Sequence, residues 1–289
     1  MYNVGVIFFK GKCLVSGILY VVGTPIGNLG DFSPRAIEIL SSVDFIAAED
    51  TRVTIKLLNK FNINTPMVSY HEHNHKSRDE QIIDRLLNGE SCALVTDAGM
   101  PAVSDPGEAL VCLAHQNGIT VSSVPGPSAV ITALAISGMP SGRFSFEGFL
   151  STAKISRNEH LESLKEDTRT LIFYEAPHKL ISTLKDMLLY FGDRKIALCK
   201  ELTKLHETVL HTTFSKAIEQ FESSPPKGEY VLIVSGSEPK EETEITFEQA
   251  VLFARERIKE GNPPTAAAKL AATYSGIRKS EIYKALMED

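Results

Sequence analysis

The chain has few cysteines, and they follow no recognisable pattern. Cys13, Cys92, Cys112 and Cys199 are scattered over 289 residues without C-x-x-C spacing, and three of them lie inside apolar runs. Secreted domains of small size depend on disulfides, whereas cytosolic thiols stay reduced. We therefore expect reduced thiols in the core of a cytoplasmic protein.

Long apolar segments are also lacking. The first 17 residues, MYNVGVIFFKGKCLVSG, include a short apolar stretch, but no basic residue precedes it and lysines follow it directly. A signal peptide begins with a basic segment, and a membrane span needs about 20 apolar residues. We expect neither of these and no membrane partner. Residues 1–17 are an N-terminal extension that either forms an extra strand or reflects a start codon assigned too early.

Positive charge is scarce as well. The formal net charge is −6, with 30 Lys and Arg against 36 Asp and Glu. A surface covered in basic residues is excluded, so an RNA partner would have to meet a local basic patch. The C-terminal segment holds one candidate patch, in which one acidic residue stands among four basic ones: Lys269, Arg278, Lys279, Glu281 and Lys284. This segment either contacts a nucleic-acid backbone or is a solvated helix face.

What the chain does contain is an alternation of apolar strands with helices. Hydrophobic residues make up 43% of it and charged residues 23%, which is typical of a soluble globular protein. Five strand segments are each followed by a helical segment: ILYVVG, DFIAAED, MVSYH, CALVTD and VSSVPG. Strands connected by helices pair in parallel, so the first half predicts a parallel sheet with helices on both faces.

The loops after these five strands have an unusual composition: GTPIGNLGD, EDTR, HEHN, TDAGMPAVSDPG and PGPSA. Turn chemistry alone explains any one of them, because Gly, Pro and Asp are common in turns. All five nevertheless fall at the carboxyl ends of the strands, where open α/β sheets bind their ligands. The fourth loop is the richest in special backbone, and we expect it to lie against a ligand.

The same loop leads into a predicted helix. Asp105 and Glu108 have the spacing of a capping box, with Pro106 at the first helical position between them. The pattern predicts a helix that begins at Asp105 and ends at Gly118.

The length of the chain fits two domains and a small module. We predict a first α/β domain at residues 18–141 and a second one, with a mixed sheet, at residues 142–237. The acidic segment SEPKEETE indicates a solvated linker over residues 238–245. Three short amphipathic segments follow in residues 246–289, and a Gly-containing turn joins the last two, which is the outline of a helix-turn-helix.

Several familiar site motifs are absent or incomplete. The glycines after the first strand do not form G-x-G-x-x-G, and no Walker motif occurs. His71, His73 and His75 alternate in HEHNH, but no Cys or carboxylate cluster completes a metal-ligand set, so a loop or substrate-facing role is favoured over metal binding. Ser104 lacks the strand-turn-helix signature of a hydrolase. Ligand binding by the backbone is the favoured interpretation.

Nine segments occur in an order that is specific to one protein family: LYVVGTPIGNLGD, AAEDTR, HEHN, TDAGMPAVSDPG, VPGPSAVITAL, RFSFEGFL, RTLIFYEAPHKL, KELTKLHE and KGEYVLIV. Together they closely resemble the ribosomal RNA small subunit methyltransferase I family, from about Leu19 to Gly236. This family is part of the tetrapyrrole methylase, or class III methyltransferase, superfamily. The resemblance implies two α/β/α domains of that type with a small C-terminal helical module.

The resemblance also implies an activity. Members of this family transfer a methyl group from S-adenosylmethionine to the 2′-hydroxyl of a cytidine in the decoding region of small-subunit rRNA. In the superfamily the cofactor lies folded in the cleft between the two α/β domains. A homodimer that acts on the assembled small ribosomal subunit is further implied.

The cofactor-binding positions implied by the resemblance are Asp97, Ala98, Gly99, Ser128, Ala129, Tyr174, Leu202 and Gly228. The first five match segments that lie along the methionine part of the cofactor. The last three match segments that enclose its adenine side.

Transfer to a ribose hydroxyl, a poor nucleophile at neutral pH, needs a group that accepts the proton. Four residues near strand ends are candidates for this base or for an orienting role: Glu49, Asp50, His71 and Glu201. Structural roles compete with this interpretation, since Asp50 can cap a helix and Glu201 can pair with Lys204 or Arg194.

Arg52, Asn74 and Lys279 are the candidates for binding the RNA substrate. The planar guanidinium of Arg52 suits a phosphate group, and a surface salt bridge is its alternative role. No metal is expected.

Two other functions stay open. A methyltransferase for a tetrapyrrole or another small molecule shares the fold and the cofactor, but AEDTR, HEHN and the helical C-terminus favour RNA. A non-enzymatic RNA-binding protein would need no cofactor cleft, so binding of S-adenosylmethionine would count against it.

Overall fold

The computed structural model describes residues 6–9, 12–71, 75–238 and 245–288, with side chains over 16–71, 78–238 and 245–288. Two compact units divide the chain, Met1–Ser237 and Glu238–Asp289. The first unit begins with two short antiparallel strands, β1 (Val6–Phe9) and β2 (Lys12–Val15).

Strands and helices then alternate strictly up to residue 136. The elements are β3 (Ile18–Val22), α1 (Pro34–Ser42), β4 (Phe45–Ala48), α2 (Thr51–Lys60), β5 (Met67–Ser69), α3 (His75–Leu87), β6 (Cys92–Val95), α4 (Glu108–Gln116), β7 (Thr120–Val124) and α5 (Ala129–Ile136). One 3-10 turn, Leu29–Asp31, follows β3. All strands pair in parallel, in the order β5-β4-β6-β3-β7. The predicted parallel sheet and its five strand-helix steps are confirmed.

The central strands of this sheet are buried on both faces. All four residues of β4 and all four of β6 are buried. Successive side chains of a strand point to opposite faces, so Phe45 and Ala47 join one apolar cluster while Ile46 and Ala48 join another. Helices cover both clusters, which is why these strands are continuous apolar runs rather than alternating ones.

Local capping explains where several helices begin. Ser33 precedes α1 and its Oγ accepts a hydrogen bond from the Ala36 N–H at 3.1 Å, with Pro34 at the first helical position. The predicted capping box of Asp105 and Glu108 is wrong. Helix α4 begins three residues later, its N-cap is Gly107, and no side chain caps it. Asp105 is therefore left in the loop.

The second half of the first unit contains a mixed sheet, as predicted. Its elements are β8 (Phe144–Phe149), α6 (Lys154–Leu164), β9 (Thr170–Glu175), α7 (Pro177–Phe191), β10 (Lys195–Lys200), β11 (Thr208–Thr213), α8 (Phe214–Ser223) and β12 (Tyr230–Val234). The strand order is β11-β10-β12-β9-β8. β8 and β9 pair in parallel, and the other neighbours pair antiparallel.

The second unit consists of helices α9 (Phe247–Lys259), α10 (Pro264–Ser275) and α11 (Lys279–Met287). Small side chains let these helices approach closely, and their core residues are Ala250, Ala254, Ala267, Ala268, Ala271 and Ile282. Thr246 and Gln249 form a capping box at the start of α9. Residues 239–244 of the predicted linker lie outside the described residues. The domain boundaries at 141/142 and 237/238 stay predictions.

No helix in the described part of the chain is both long enough and apolar enough to cross a membrane.

Candidate functional site

A cavity of about 530 Å³ lies between the two sheets of the first unit. Loops after β3, β4, β6 and β7 form one wall. The ends of β8, β9 and β10, the loops after β9 and β10, and the start of β12 form the other. The lining residues are Ile26, Glu49, Thr96, Asp97, Ala98, Gly99, Met100, Val103, Ser104, Asp105, Ser128, Ala129, Phe149, Tyr174, Glu175, Ala176, Pro177, Cys199, Leu202, Glu229, Tyr230 and Val231. Its size is that of a small-molecule or cofactor site.

The wall formed by the first sheet is acidic. Glu49, Asp97 and Asp105 line it, and the lining residues include no Lys, Arg or His. The Thr96 hydroxyl donates to Glu49 Oε2 at 2.5 Å, and the Asp97 N–H donates to the same oxygen at 3.3 Å. The Asp50 N–H donates to Asp97 Oδ1 at 3.2 Å. These bonds fix two carboxylates in place but leave their negative charge without a cationic partner in the cavity.

Burial beside other carboxylates perturbs two of these acids. Burial, together with the charge of Glu49, raises the pKa of Asp97. The same two causes raise the pKa of Asp105 to about 6, although a hydrogen bond with Thr96 lowers it in part. Asp105 is thus the acid whose protonation changes near neutral pH. A cation that enters the cavity would relieve the repulsion among these carboxylates.

The loop after β6 is shaped by unusual backbone. Gly99 has φ +89° and forms an isolated antiparallel bridge with Thr24, whose Oγ1 also donates to the Thr96 carbonyl at 3.1 Å. Ala102 and Ser104 have φ +65° and +63°, a conformation that non-glycine residues seldom adopt. Strain of this kind persists where the surroundings hold it, often at ligand sites.

Two helices begin at the cavity. Ser128 is the N-cap of α5 and its side chain makes no capping bond, while Ala176 and Pro177 begin α7. The first N–H groups of a helix lack partners within the helix and attract anions. The cavity therefore offers backbone donors for a negative group beside carboxylates for a positive one.

Apolar and aromatic side chains make up most of the wall of the second sheet, which also includes Glu175 and Glu229. The Tyr174 ring lies 5.0 Å from that of Phe146 and 5.4 Å from that of Phe149. Burial, followed by the charge of Asp105 on the acidic wall, raises the pKa of Tyr174 to about 12. Leu202, Tyr230 and Val231 are buried further along the same wall.

Seven of the eight predicted cofactor-binding residues line the cavity, all except Gly228. Gly228 precedes the lining residue Glu229, has φ +82°, and packs against Glu201, since a Cβ added to it would meet Glu201 Cγ at 2.7 Å. Contact of the eight predicted residues with a cofactor stays a prediction.

The four candidate bases do not come together. Glu49 alone lines the cavity. Asp50 caps α2 and pairs with Arg52 at 2.6 Å, and these bonds lower its pKa to about 2. Glu201 accepts from the Glu229 N–H and pairs with Lys204 at 3.0 Å, which lowers its pKa. His71, at the end of β5, is not among the lining residues.

The substrate-binding candidates lie elsewhere. Arg52 is 88% exposed and its guanidinium is held by Asp50. Lys279 begins α11 in the second unit. Asn74 lies outside the described residues.

Two prominent cavity residues are not predicted from the sequence. Asp105 and Glu108 have the spacing of a capping box, and this spacing hides the position of Asp105 in the cavity. Phe149 ends an apolar strand, and nothing in its sequence neighbours distinguishes it from a core residue. Among the side chains that the structure describes, no group of His, Cys, Asp and Glu could hold a metal ion. His73 and His75 are not among those side chains.

Comparison with known proteins adds independent information. A family model described as Tetrapyrrole (Corrin/Porphyrin) Methylases matches residues 18–218. The chain is 43% identical over 273 residues to ribosomal RNA small subunit methyltransferase I of Synechocystis sp., covering 94% of this chain and 98% of that protein. It is 48% identical over 270 residues to the protein of the same name from Xylella fastidiosa, covering 92% and 98%. A crystal structure of diphthine synthase superposes with a TM-score of 0.59 at 14% identity, over 76% of this chain and 90% of that one, and this likeness shows a shared fold.

Proposed function

Since the chain belongs to the ribosomal RNA small subunit methyltransferase I family of tetrapyrrole methylases, we propose that it methylates the 2′-hydroxyl of a cytidine in small-subunit rRNA. The methyl donor of this family is S-adenosylmethionine. The observation that carries the proposal is the cavity with an acidic wall and no basic side chain among its lining residues.

This cavity fits the charges of S-adenosylmethionine. The cofactor has a sulfonium and an ammonium group, which are positive, and a carboxylate, which is negative. Glu49, Asp97 and Asp105 would hold the positive groups, and the N–H groups at the start of α5 would receive the carboxylate. Tyr174 and Leu202 supply the apolar surface that an adenine ring needs. When bound, the cofactor supplies an electrophilic methyl group beside the sulfonium.

We propose that the Asp105 carboxylate is the general base that accepts the proton of the ribose hydroxyl. Its carboxylate lines the cavity, and with a pKa of about 6 it is ionised at neutral pH, as a general base must be. Glu49 is the alternative, but its Oε2 already accepts from Thr96 and Asp97. We expect kcat of D105N, measured at saturating cofactor, to fall about 10²- to 10⁴-fold, as loss of a general base does. An unchanged kcat would remove Asp105 from this role.

The relatives' name points to RNA as the substrate, and we extend this to a homodimer that acts on the assembled small subunit in the cytoplasm. Arg52 and Lys279 are exposed cations that suit rRNA phosphates. A tetrapyrrole is the competing substrate, because the family model is described by that chemistry.

One experiment decides between these substrates. Labelled S-adenosylmethionine is incubated with the protein in three parallel reactions, which contain small ribosomal subunits from a strain that lacks the gene, naked rRNA, or a porphyrin. The rRNA is then digested for nucleoside mass spectrometry. Label in 2′-O-methylcytidine is the expected result. Label on a porphyrin and none on subunits or naked rRNA would refute the RNA assignment, and failure to bind the cofactor would refute methyl transfer altogether.

A further inference from the structure

The edge strand β8 carries a bulge that changes the direction of its last side chain. The register of β8 against β9 shifts between Phe146 and Gly148, and Gly148 has φ +64°. In a regular strand, residues three apart point to opposite faces of the sheet. Here Phe146 and Phe149 both contact the Tyr174 ring, at 5.0 and 5.4 Å between ring centroids. The bulge therefore brings Phe149 to the cavity side, a known use of bulges beside active sites.

Phe149 lines the cavity but is not enclosed by it. It is 60% exposed, whereas its neighbours on the same wall, Leu202 and Tyr230, are 6% and 5% exposed. A ligand that covered this aromatic ring would gain favourable burial of apolar surface. Its ring has one aromatic neighbour on the cavity side, tilted by 58°, so most of its surface is available to a ligand.

A second exposed apolar side chain lines the cavity near this bulge. Val103 is 47% exposed and lines the cavity between Ala102 and Ser104, the two residues with positive φ. Ser104 Oγ lies 3.4 Å from the position that a Cβ on Gly148 would occupy, so the loop after β6 contacts the bulge. Phe149 and Val103 thus form an apolar mouth where the cavity meets solvent.

The position of this mouth distinguishes it from the cofactor region. The acids and helix starts that suit the cofactor come from the loops after β4, β6 and β7 and from the start of α7. Phe149 instead ends the edge strand β8 and is open to solvent, from which a substrate must arrive. A target nucleotide in rRNA has to be turned out of its stack to reach a buried methyl group, and extruded bases are held by aromatic side chains.

Resting on the proposed function, we propose that Phe149 stacks on the base of the target nucleotide and so positions its ribose at the methyl donor. Val103 provides a second apolar side chain at the mouth. This makes Phe149 a substrate-binding residue that contributes little to cofactor affinity.

The test compares Phe149→Leu with Phe144→Leu. Phe144 is an exposed aromatic on the same edge strand, 38% exposed, and does not line the cavity. Cofactor Kd is measured by calorimetry, and kcat/KM for small subunits by methyl transfer. We expect F149L to lose about 5- to 150-fold in kcat/KM for RNA, the range for loss of one base–aromatic stack. Cofactor Kd stays unchanged, F144L behaves as wild type, and Phe149→Tyr retains activity.

Four results would overturn this role. Cofactor affinity that falls in F149L as far as kcat/KM does would place the adenine, rather than the target base, against the ring. Equal losses in F149L and F144L would indicate a general effect on β8. If wild type transfers methyl groups and F149L does so at the same rate, the stacking role alone fails. If wild type transfers none to RNA, the proposed function fails with it.

Discussion

The affinity for S-adenosylmethionine is expected to depend on the ionisation of Asp105. Charged groups near Asp105 include Glu49 and Asp97, both acidic, and the apolar Tyr174 wall adds no cation. A cation bound beside them favours the ionised form of Asp105. Protonation of this carboxylate should therefore weaken binding as the pH falls.

The magnitude follows from the pKa of about 6. Roughly nine-tenths of the Asp105 side chains are ionised at pH 7 and roughly one-tenth at pH 5. If the ionised form alone binds well, apparent Kd rises about tenfold between these two values, because it scales inversely with the competent fraction. The ligand's own charge stays nearly constant over this range, since α-amino groups titrate near 8 and α-carboxyls near 3.5.

Isothermal titration calorimetry at pH 5, 6 and 7 measures this dependence in wild type, D105N and D84N. Asp84 is a solvent-exposed acid on α3 that does not line the cavity, so D84N is the matched control. We expect wild type and D84N to show the tenfold rise and D105N to show a much smaller one. An equal rise in D105N would assign the titration to another group, such as Asp97, and would refute the reasoning about Asp105.

Three further predictions concern stability and RNA binding. D105N should raise the free energy of unfolding at pH 7.5 by about 1–3 kcal/mol. The pKa of partly buried Asp105 is about 6 in the folded chain against 3.8 in the unfolded chain, so ionisation of Asp105 opposes folding above pH 6 and ceases to do so below 3.8. Urea denaturation at pH 7.5 and pH 3.5 measures this gain, and an equal gain at both pH values would contradict it. G228A should destabilise the protein more than G138A, by about 1–3 kcal/mol. Both glycines have positive φ, but a Cβ at Gly228 would meet Glu201 Cγ at 2.7 Å, whereas a Cβ at Gly138 would have its nearest neighbour at 3.8 Å. Equal thermal shifts would show that Glu201 moves freely. R52A should leave the thermal stability nearly unchanged, because the ion pair of Arg52 with Asp50 is exposed to solvent. It should nevertheless raise KM for subunits and flatten the salt dependence of KM, and an unchanged KM would remove Arg52 from the RNA surface.

The alternation of apolar strands with helices was enough to predict the first sheet. Each strand-helix step is local, and the buried runs of β4 and β6 are apolar throughout because both faces of the sheet are covered. The edge of the sheet that holds the site was predictable for the same reason, since all parallel strands end there. The nine ordered sequence segments were enough to indicate the family.

Tertiary structure alone decided the roles of the individual acids. Asp50 and Glu201 lie in motifs as prominent as that of Glu49. Asp50 pairs with Arg52 and Glu201 pairs with Lys204, whereas Glu49 lines the cavity. Asp105 has the spacing of a helix cap, yet Gly107 takes that place and the carboxylate is left among other acids.

The direction of the Phe149 side chain depends on the bulge in β8, and no residue spacing in the sequence predicts that bulge. Sequence determines which elements form, because periodicity and capping act between near neighbours along the chain. A site is formed where loops from distant strands meet, and the burial, charge and direction of its side chains depend on neighbours that sequence spacing does not specify.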